Sequence, residues 1–301
     1  MNPPASSPRV KGPIVWLDMD QQELDDAYDQ TIYASNRDEI RTRRKTNNEI
    51  AIARIGKPDR VAYGPADIEK IDIYRTKTPN APVMLYIHGG AWKGGTSSQV
   101  AYMAEPFIHA GVHFIAIDFN NCTEVGGSLV PMVDQVRRAV GHVYHNAKSF
   151  GGDPGRIYVT GHSSGGHLAA CVAITEWNKV GLPRDTVKGY LLGSGMYDLK
   201  APRLSQRSLY VAFTDEMEHA LSPQRHIDKI TAPIIITYGS RETPEFQRQG
   251  RDFHAALVKA GKPAKLYVGN AYNHFETQET MHSPYGLMGY AAFELMGMAK
   301  A

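Results

Sequence analysis

Gly161-His162-Ser163-Ser164-Gly165-Gly166 lies between an apolar, β-branched run that ends at Thr160 and a helix-forming run that begins at His167. The two flanking patterns predict a strand, a sharp turn and a helix, with Ser163 at the apex of the turn. Glycines two residues before and two after Ser163 remove the Cβ clashes of so tight a turn, and the helix start then points backbone amides at developing negative charge. The stretch predicts a nucleophilic serine. A glycine-rich turn with a capping serine is the alternative from these residues alone.

A second glycine-rich turn, His88-Gly89-Gly90-Ala91-Trp92, directly follows the continuous apolar run at residues 83–87. That run predicts a central strand buried on both faces. Glycines after such a strand let backbone amides approach a substrate oxygen, so the two turns in this order predict an oxyanion hole. Its predicted donors are the amides of Gly89, Gly90 or Ala91 and of Ser164. We expect His88 to hydrogen-bond locally and shape its loop rather than to transfer a proton.

Strands and helices alternate along most of the chain. Apolar runs predict strands over residues 112–119, 156–160, 188–194, 232–239 and 264–268, and helical patterns separate them. This alternation predicts an α/β protein with a mostly parallel, doubly wound sheet and helices on both faces. Before the first strand, residues 17–34 and 37–55 predict two helices, and Asp18 or Asp20 can cap the start of the first.

The 301 residues are enough for one α/β domain, which we expect over residues 14–301 behind a flexible tail at residues 1–13. Residues 199–229 lack a strand pattern and predict short helices and loops above the site. Together with the N-terminal helices at residues 14–55, they are expected to form a small partial lid.

Charge and composition argue against several classes of function. With 33 basic and 31 acidic residues the formal charge is +2, which gives no strong field for nucleic acid. Residues 1–13 lack the apolar core of a signal peptide, and no apolar run approaches the roughly 20 residues that span a bilayer. We therefore expect a soluble, cytoplasmic protein that binds neither nucleic acid nor membrane. Its two cysteines are expected to be reduced, and the pair His142 and His145 lacks a third ligand, so we expect no metal and no cofactor.

A serine hydroxyl is a poor nucleophile near neutral pH, so Ser163 needs a base, and an imidazole held by a carboxylate is the usual one. His274 follows the last predicted strand in a loop of small polar residues, from which a base can reach the first turn. The other downstream histidines lie mid-helix, before the penultimate strand or in a later loop: His254, His219, His226 and His282. We expect His162 and His167, beside Ser163, to be packing residues.

The acid is expected just past the strand that ends at Gly239, where Glu242 and Glu245 are both available. Glu245 follows a proline and fits the first turn of the next helix, where its charge complements the helix dipole. We choose Glu242 as the acid and keep Glu245 as the alternative. Asp198 also follows a strand end and ranks third.

Five stretches resemble the kynurenine formamidase (arylformamidase) group of α/β hydrolases, which is allied to hormone-sensitive-lipase-type esterases. They are residues 23–28, 88–92, 161–169, 243–249 and 273–275. The resemblance covers most of the chain and implies an α/β-hydrolase fold. Ser163 matches the family's nucleophile, His274 its base and Glu242 its acid, which is usually Asp. The chain also departs from the family at Ala91, often an aromatic residue, and at residues 119–122.

The resemblance implies a cofactor-free serine hydrolase that cleaves a small N-formyl or aryl amide through an acyl-enzyme. The alternatives are a carboxylesterase that acts on small esters with the same triad and, more distantly, a non-catalytic binding protein of this fold. Aromatic residues near the motifs predict a substrate with an aromatic or apolar part: Trp92, Tyr197, Tyr272 and Phe275. A homodimer is left open.

Overall fold

The structure is a computed structural model that describes residues 9–299, so residues 1–8 of the predicted tail lie outside it. The strands are β1 (Ile14–Trp16), β2 (Met19–Asp20), β3 (Asp59–Ala62), β4 (Lys70–Tyr74), β5 (Ala81–Ile87), β6 (His113–Ile117), β7 (Gly152–His162), β8 (Gly189–Gly193), β9 (Ile234–Gly239) and β10 (Ala264–Gly269). The α-helices are α1 (Gln21–Ala27), α2 (Arg37–Ile55), α3 (Ala101–His109), α4 (Val130–Asn146), α5 (Ser164–Ala173), α6 (Lys200–Leu204), α7 (Asp215–Ala220), α8 (Pro244–Lys259), α9 (His274–Glu279) and α10 (Leu287–Leu295).

Eight strands form the main sheet in the order β10-β9-β8-β7-β5-β6-β4-β3. Strands β10 to β6 in this order are parallel, whereas β4 pairs antiparallel with both β6 and β3 at one edge. The predicted mostly parallel sheet is therefore confirmed. Strand β5 is central and every one of its residues is buried, as its continuous apolar run predicts.

Helices cover both faces of this sheet, and alternate residues of β5 belong to different cores. Val83, Leu85 and Ile87 join the core that includes apolar residues of α4, α5 and α8. Met84 and Tyr86 join the opposite core, which includes residues of α2, α3 and α10. Side chains alternate along a strand, so β5 contributes to a core on each face of the sheet. A parallel sheet with helices packed on both faces is the doubly wound α/β architecture.

The N-terminal region differs from the single helix predicted over residues 17–34. Helix α1 begins only at Gln21, because Asp20 is its N-cap in a capping box with Glu23 and also accepts hydrogen bonds from Arg9 and Gly12. Asp29 then caps a separate 3₁₀ turn. The next predicted helix, residues 37–55, is confirmed at both ends.

Between β8 and β9 the chain forms short helices and turns, as predicted for residues 199–229. This segment contacts the N-terminal region, since the amide of Gln206 donates to Asp25 and Gln21 donates to the carbonyl of Leu204. No helix within residues 9–299 combines the length and the apolar character that crossing a membrane requires.

Candidate active site

The turn between β7 and α5 holds Ser163 in a conformation that few non-glycine residues adopt, with φ 60° and ψ −128°. The flanking glycines permit it. A Cβ on Gly161 would lie 2.2 Å from the carbonyl oxygen of Gly165, and one on Gly165 would lie 2.1 Å from that of Ile87. The glycine spacing therefore lets the turn close and lets α5 pack on the end of β5.

The loop after β5 lies directly against this turn. A Cβ on Gly89 would lie 2.7 Å from the carbonyl oxygen of His162 and 3.0 Å from the Cβ of Ser163. Gly90 and Ala91 both have positive φ values, 125° and 56°. Within the described part of the chain, the amides of Gly90, Ala91 and Ser164 donate to no protein acceptor. These amides belong to the two turns that meet at Ser163, and they are free to bind an oxygen atom of a ligand.

His88 shapes this loop, as the sequence predicts. Its Nδ1 donates to the carbonyl of Gly89 at 2.9 Å, which confirms the expected local hydrogen bond, and its ring stacks on Phe119 with centroids 4.2 Å apart. Burial lowers the pKa of His88 below its usual value, which keeps the ring neutral.

His274 is the first residue of α9, and its imidazole contacts Glu242. The Nδ1 atom of His274 lies 2.7 Å from Oε2 of Glu242, whose side chain is buried. A carboxylate accepts only, so Nδ1 carries the proton and Nε2 is left as the basic nitrogen. This is the tautomer that a general base for a serine requires.

Three further donors fix the Glu242 carboxylate. Its Oε1 accepts from the amide of Gly239 at 2.7 Å, from Ser194 Oγ at 2.6 Å and from Thr277 Oγ1 at 3.2 Å. These hydrogen bonds compensate the buried charge and leave Oε2 directed at His274.

The other two candidate acids, Glu245 and Asp198, bind other residues. Glu245 accepts from Tyr28 Oη at 3.0 Å and from Arg248 Nε at 2.6 Å, and Asp198 pairs with Arg225 at 2.7 Å. The structure thus brings Glu242, and neither alternative acid, to His274.

Ser163 and His274 line one cavity of about 890 Å³, together with Gly89, Gly90 and Ala91. This volume suits a small organic molecule. Among the described residues no hydrogen bond joins Ser163 Oγ to His274, a contact that in free enzymes often tightens only when substrate binds.

Of the four aromatic residues predicted to line the pocket, only Phe275 does so. Trp92 is buried and donates from Nε1 to Nδ1 of His167 at 3.1 Å, while Tyr197 is buried against Phe253 with ring centroids 4.5 Å apart. Tyr272 is 38% exposed and lies outside the cavity lining. Large apolar side chains suit a core as well as a pocket, and here Trp92 and Tyr197 belong to the core.

His162 and His167 have different surroundings, although both are buried. His167 packs in the core, and burial lowers its pKa to about 4. His162 also lines the cavity, where its ring centroid lies 4.5 Å from that of His274, so it is more than a packing residue. Burial lowers the pKa of His162 well below its usual value.

Several site residues were not found from the sequence. Ser194 and Thr277 hold Glu242, and Tyr28 and Arg207 line the cavity. The position of Ser194 could have been predicted, because it follows β8, and β8 lies beside β9, the strand that leads to Glu242. The position of Arg207 could not have been predicted, because its segment has no periodic pattern of apolar residues.

Known proteins share both sequence and fold with this chain. The family model BD-FAE matches residues 71–193. Kynurenine formamidase of Salmo salar is 31% identical to the chain, with 65% of this chain and 67% of that protein covered. Kynurenine formamidase of Danio rerio is 29% identical, with 73% and 75% covered. The solved structure of EstE1, a carboxylesterase cloned from a metagenomic library, superposes with a TM-score of 0.70 at 18% identity, covering 89% of this chain and 99% of that one.

Proposed function

Because the chain belongs to the kynurenine formamidase family of α/β hydrolases, we propose that it cleaves a small N-formyl or aryl amide through an acyl-enzyme on Ser163. Its relatives and its fold both support a hydrolase of the α/β class. The observation that carries the finer proposal is the 2.7 Å bond between Glu242 and His274 in the cavity that also contains Ser163.

The first chemical step uses the tautomer that Glu242 imposes. Nε2 of His274 takes the proton of Ser163 Oγ as that oxygen attacks the amide carbon, and Glu242 stabilises the imidazolium that results. Three protein donors bind the other oxygen of Glu242 and hold its carboxylate in place for this role.

The negative charge that develops on the carbonyl oxygen is bound by backbone amides of the two turns. Gly89, Gly90 or Ala91 supply one side and Ser164 the other, and their amides are held in place before substrate arrives. His274 then protonates the leaving amine, and the same nitrogen activates the water that releases the acyl group from Ser163.

The N-terminal helices and the segment at residues 199–229 form the partial lid of this site. Tyr28 and residues of α2 line the cavity, and Arg207 lines it from the second segment. Arg207 donates from Nη2 to the carbonyl of Tyr28 at 3.2 Å, which joins the two parts of the lid. The lid excludes water from one side of the acyl-enzyme.

Replacing Ser163 by Ala tests the proposal. We expect kcat on N-formylkynurenine to fall by about 10⁴- to 10⁶-fold, the range that loss of a serine nucleophile gives in other enzymes. Ser149→Ala, at an exposed serine outside the cavity, is the matched control and should retain wild-type turnover. Turnover by Ser163→Ala close to that of the wild type would refute the assignment.

The class of bond is tested with matched substrates. Formanilide, acetanilide and phenyl acetate are assayed in parallel with the wild-type protein. Hydrolysis of formanilide that depends on Ser163 and exceeds that of acetanilide supports the formamidase proposal. Hydrolysis of phenyl acetate alone would instead establish the carboxylesterase.

A further inference from the structure

Arg207 is a buried cation in the wall of the candidate active-site cavity. Only 5% of its surface is exposed, and it lies in the 3₁₀ turn Gln206–Leu209 of the proposed lid. A guanidinium in such a place is costly unless an anion or several acceptors compensate it.

The protein compensates Arg207 only in part. Nη1 donates to Tyr210 Oη at 2.7 Å and Nη2 to the carbonyl of Tyr28 at 3.2 Å, while Nε has no partner among the described residues. Two of the five N–H donors of a guanidinium are thus used. Both acceptors are uncharged, and within residues 9–299 Arg207 forms no ion pair.

Two aromatic rings hold the guanidinium in the cavity wall. Its central carbon lies 5.3 Å from the ring centroid of Trp92 and 5.7 Å from that of Tyr28. Cation–π contacts of this kind orient a guanidinium without neutralising it. Since Trp92 directly follows Ala91, Arg207 is fixed against the loop that supplies the proposed oxyanion donors.

The acidic residues around the cavity do not neutralise Arg207. Asp38 and Glu49 are exposed at the rim on α2, and the carboxylate of Asp29 caps a 3₁₀ turn through the amide and hydroxyl of Thr31. Arg44 of α2 also lines the cavity and its Nε has no partner among the described residues, but it is only half-buried and its Nη2 donates to the carbonyl of Phe275. Arg207 is therefore the more deeply buried of the two cations, and no acid among the described residues pairs with it.

We propose that Arg207 binds a carboxylate of the substrate, which makes it the residue that selects an anionic aryl amide over a neutral one. The inference rests on the proposed function for the reacting bond. A carboxylate matches the planar fork of the guanidinium, which can bind its two oxygens through two N–H donors. The substrate's carboxylate completes the charge pair that the protein leaves open.

The test measures binding, so that it does not depend on turnover. In a Ser163→Ala background, the Kd of N-formylkynurenine is compared by calorimetry with that of its carboxamide, which lacks the negative charge. We expect the carboxylate to bind about 10- to 100-fold more tightly, as a charge-assisted hydrogen bond to a buried cation gives. Adding Arg207→Met should bring the ratio of the two Kd values close to one.

Two controls separate recognition from a purely structural role of Arg207. Arg207→Lys keeps the charge and should retain part of the preference, whereas Arg184→Gln removes an exposed cation outside the cavity and should leave the ratio unchanged. Equal Kd values for the two ligands before Arg207 is changed, no detectable binding of the carboxylate, or an unchanged ratio in Arg207→Met would each overturn the inference. Failure of the proposed function is distinct, since it appears as absent amide hydrolysis by the wild-type protein whatever the two Kd values are.

Discussion

The substitution Glu242→Gln replaces one carboxylate oxygen by an amide NH₂ group and keeps the shape of the side chain. Three donors converge on Oε1: the amide of Gly239, the hydroxyl of Ser194 and the hydroxyl of Thr277. The amide oxygen of the new Gln must occupy this place, because an NH₂ group there would face donors. Its nitrogen is then directed at Nδ1 of His274.

An N–H group directed at Nδ1 reverses the tautomer of the imidazole. Nδ1 becomes an acceptor and the proton moves to Nε2, which can no longer accept a proton from Ser163. A triad with the wrong tautomer loses about 10⁴-fold in kcat, which corresponds to about 5.4 kcal/mol in the activation free energy. We expect a loss of this size in Glu242→Gln.

The same change three residues later is the control. Glu245 binds Tyr28 and Arg248 and does not contact His274, so Glu245→Gln should lower the melting temperature while kcat stays within about threefold of the wild type. Steady-state kinetics and thermal unfolding are measured on both variants. A larger loss of kcat in Glu245→Gln, or a loss below tenfold in Glu242→Gln, would refute the reasoning.

Two further predictions concern the pH dependence of stability and the oxyanion loop. The neutral His167, with a pKa lowered to about 4 by burial, binds fewer protons in the folded than in the unfolded state, so stability falls as the pH drops below about 6.5. Between pH 7 and 5 this contribution is about 2 kcal/mol. In urea unfolding, the loss of unfolding free energy between pH 7 and 5 should be smaller in His167→Gln than in the wild type by this amount, and an equal loss in the two proteins would contradict the prediction. Gly89→Ala places a Cβ 2.7 Å from the carbonyl oxygen of His162 and 3.0 Å from Ser163, and we expect kcat/KM to fall about 100-fold because the loop must move. Gly141→Ala, where the nearest atom lies at 3.5 Å, should keep full activity, and equal activity of the two variants would contradict the expectation.

The positions of Ser163, Glu242 and His274 followed from the ends of strands. Parallel strands deliver the residues after their carboxyl ends to one edge of the sheet, so alternation and glycine spacing were enough to place the three residues near one another. Chain order then selected the acid and the base among several candidates.

The lining of the cavity and the details of the N-terminal region could not be predicted, because they depend on packing between segments that are distant in the sequence. A large aromatic residue serves a core and a pocket equally well, so the sequence did not separate the core residues Trp92 and Tyr197 from the cavity residue Phe275. The helix predicted over residues 17–34 ends at Ala27, and Asp29 caps a separate 3₁₀ turn that helical periodicity does not encode. Arg207 faces the cavity only because the segment that contains it packs on the N-terminal region.

We propose that Ser163 is the nucleophile of a hydrolase whose base is His274. It is tested most directly by reaction with an organic fluorophosphonate, which forms a covalent adduct with an activated serine, followed by mass spectrometry of the digested protein. We expect one adduct on the peptide containing Ser163, loss of hydrolysis in proportion to labelling, and no labelling in His274→Ala. Complete inactivation with Ser163 unmodified, or full activity with Ser163 labelled, would contradict it.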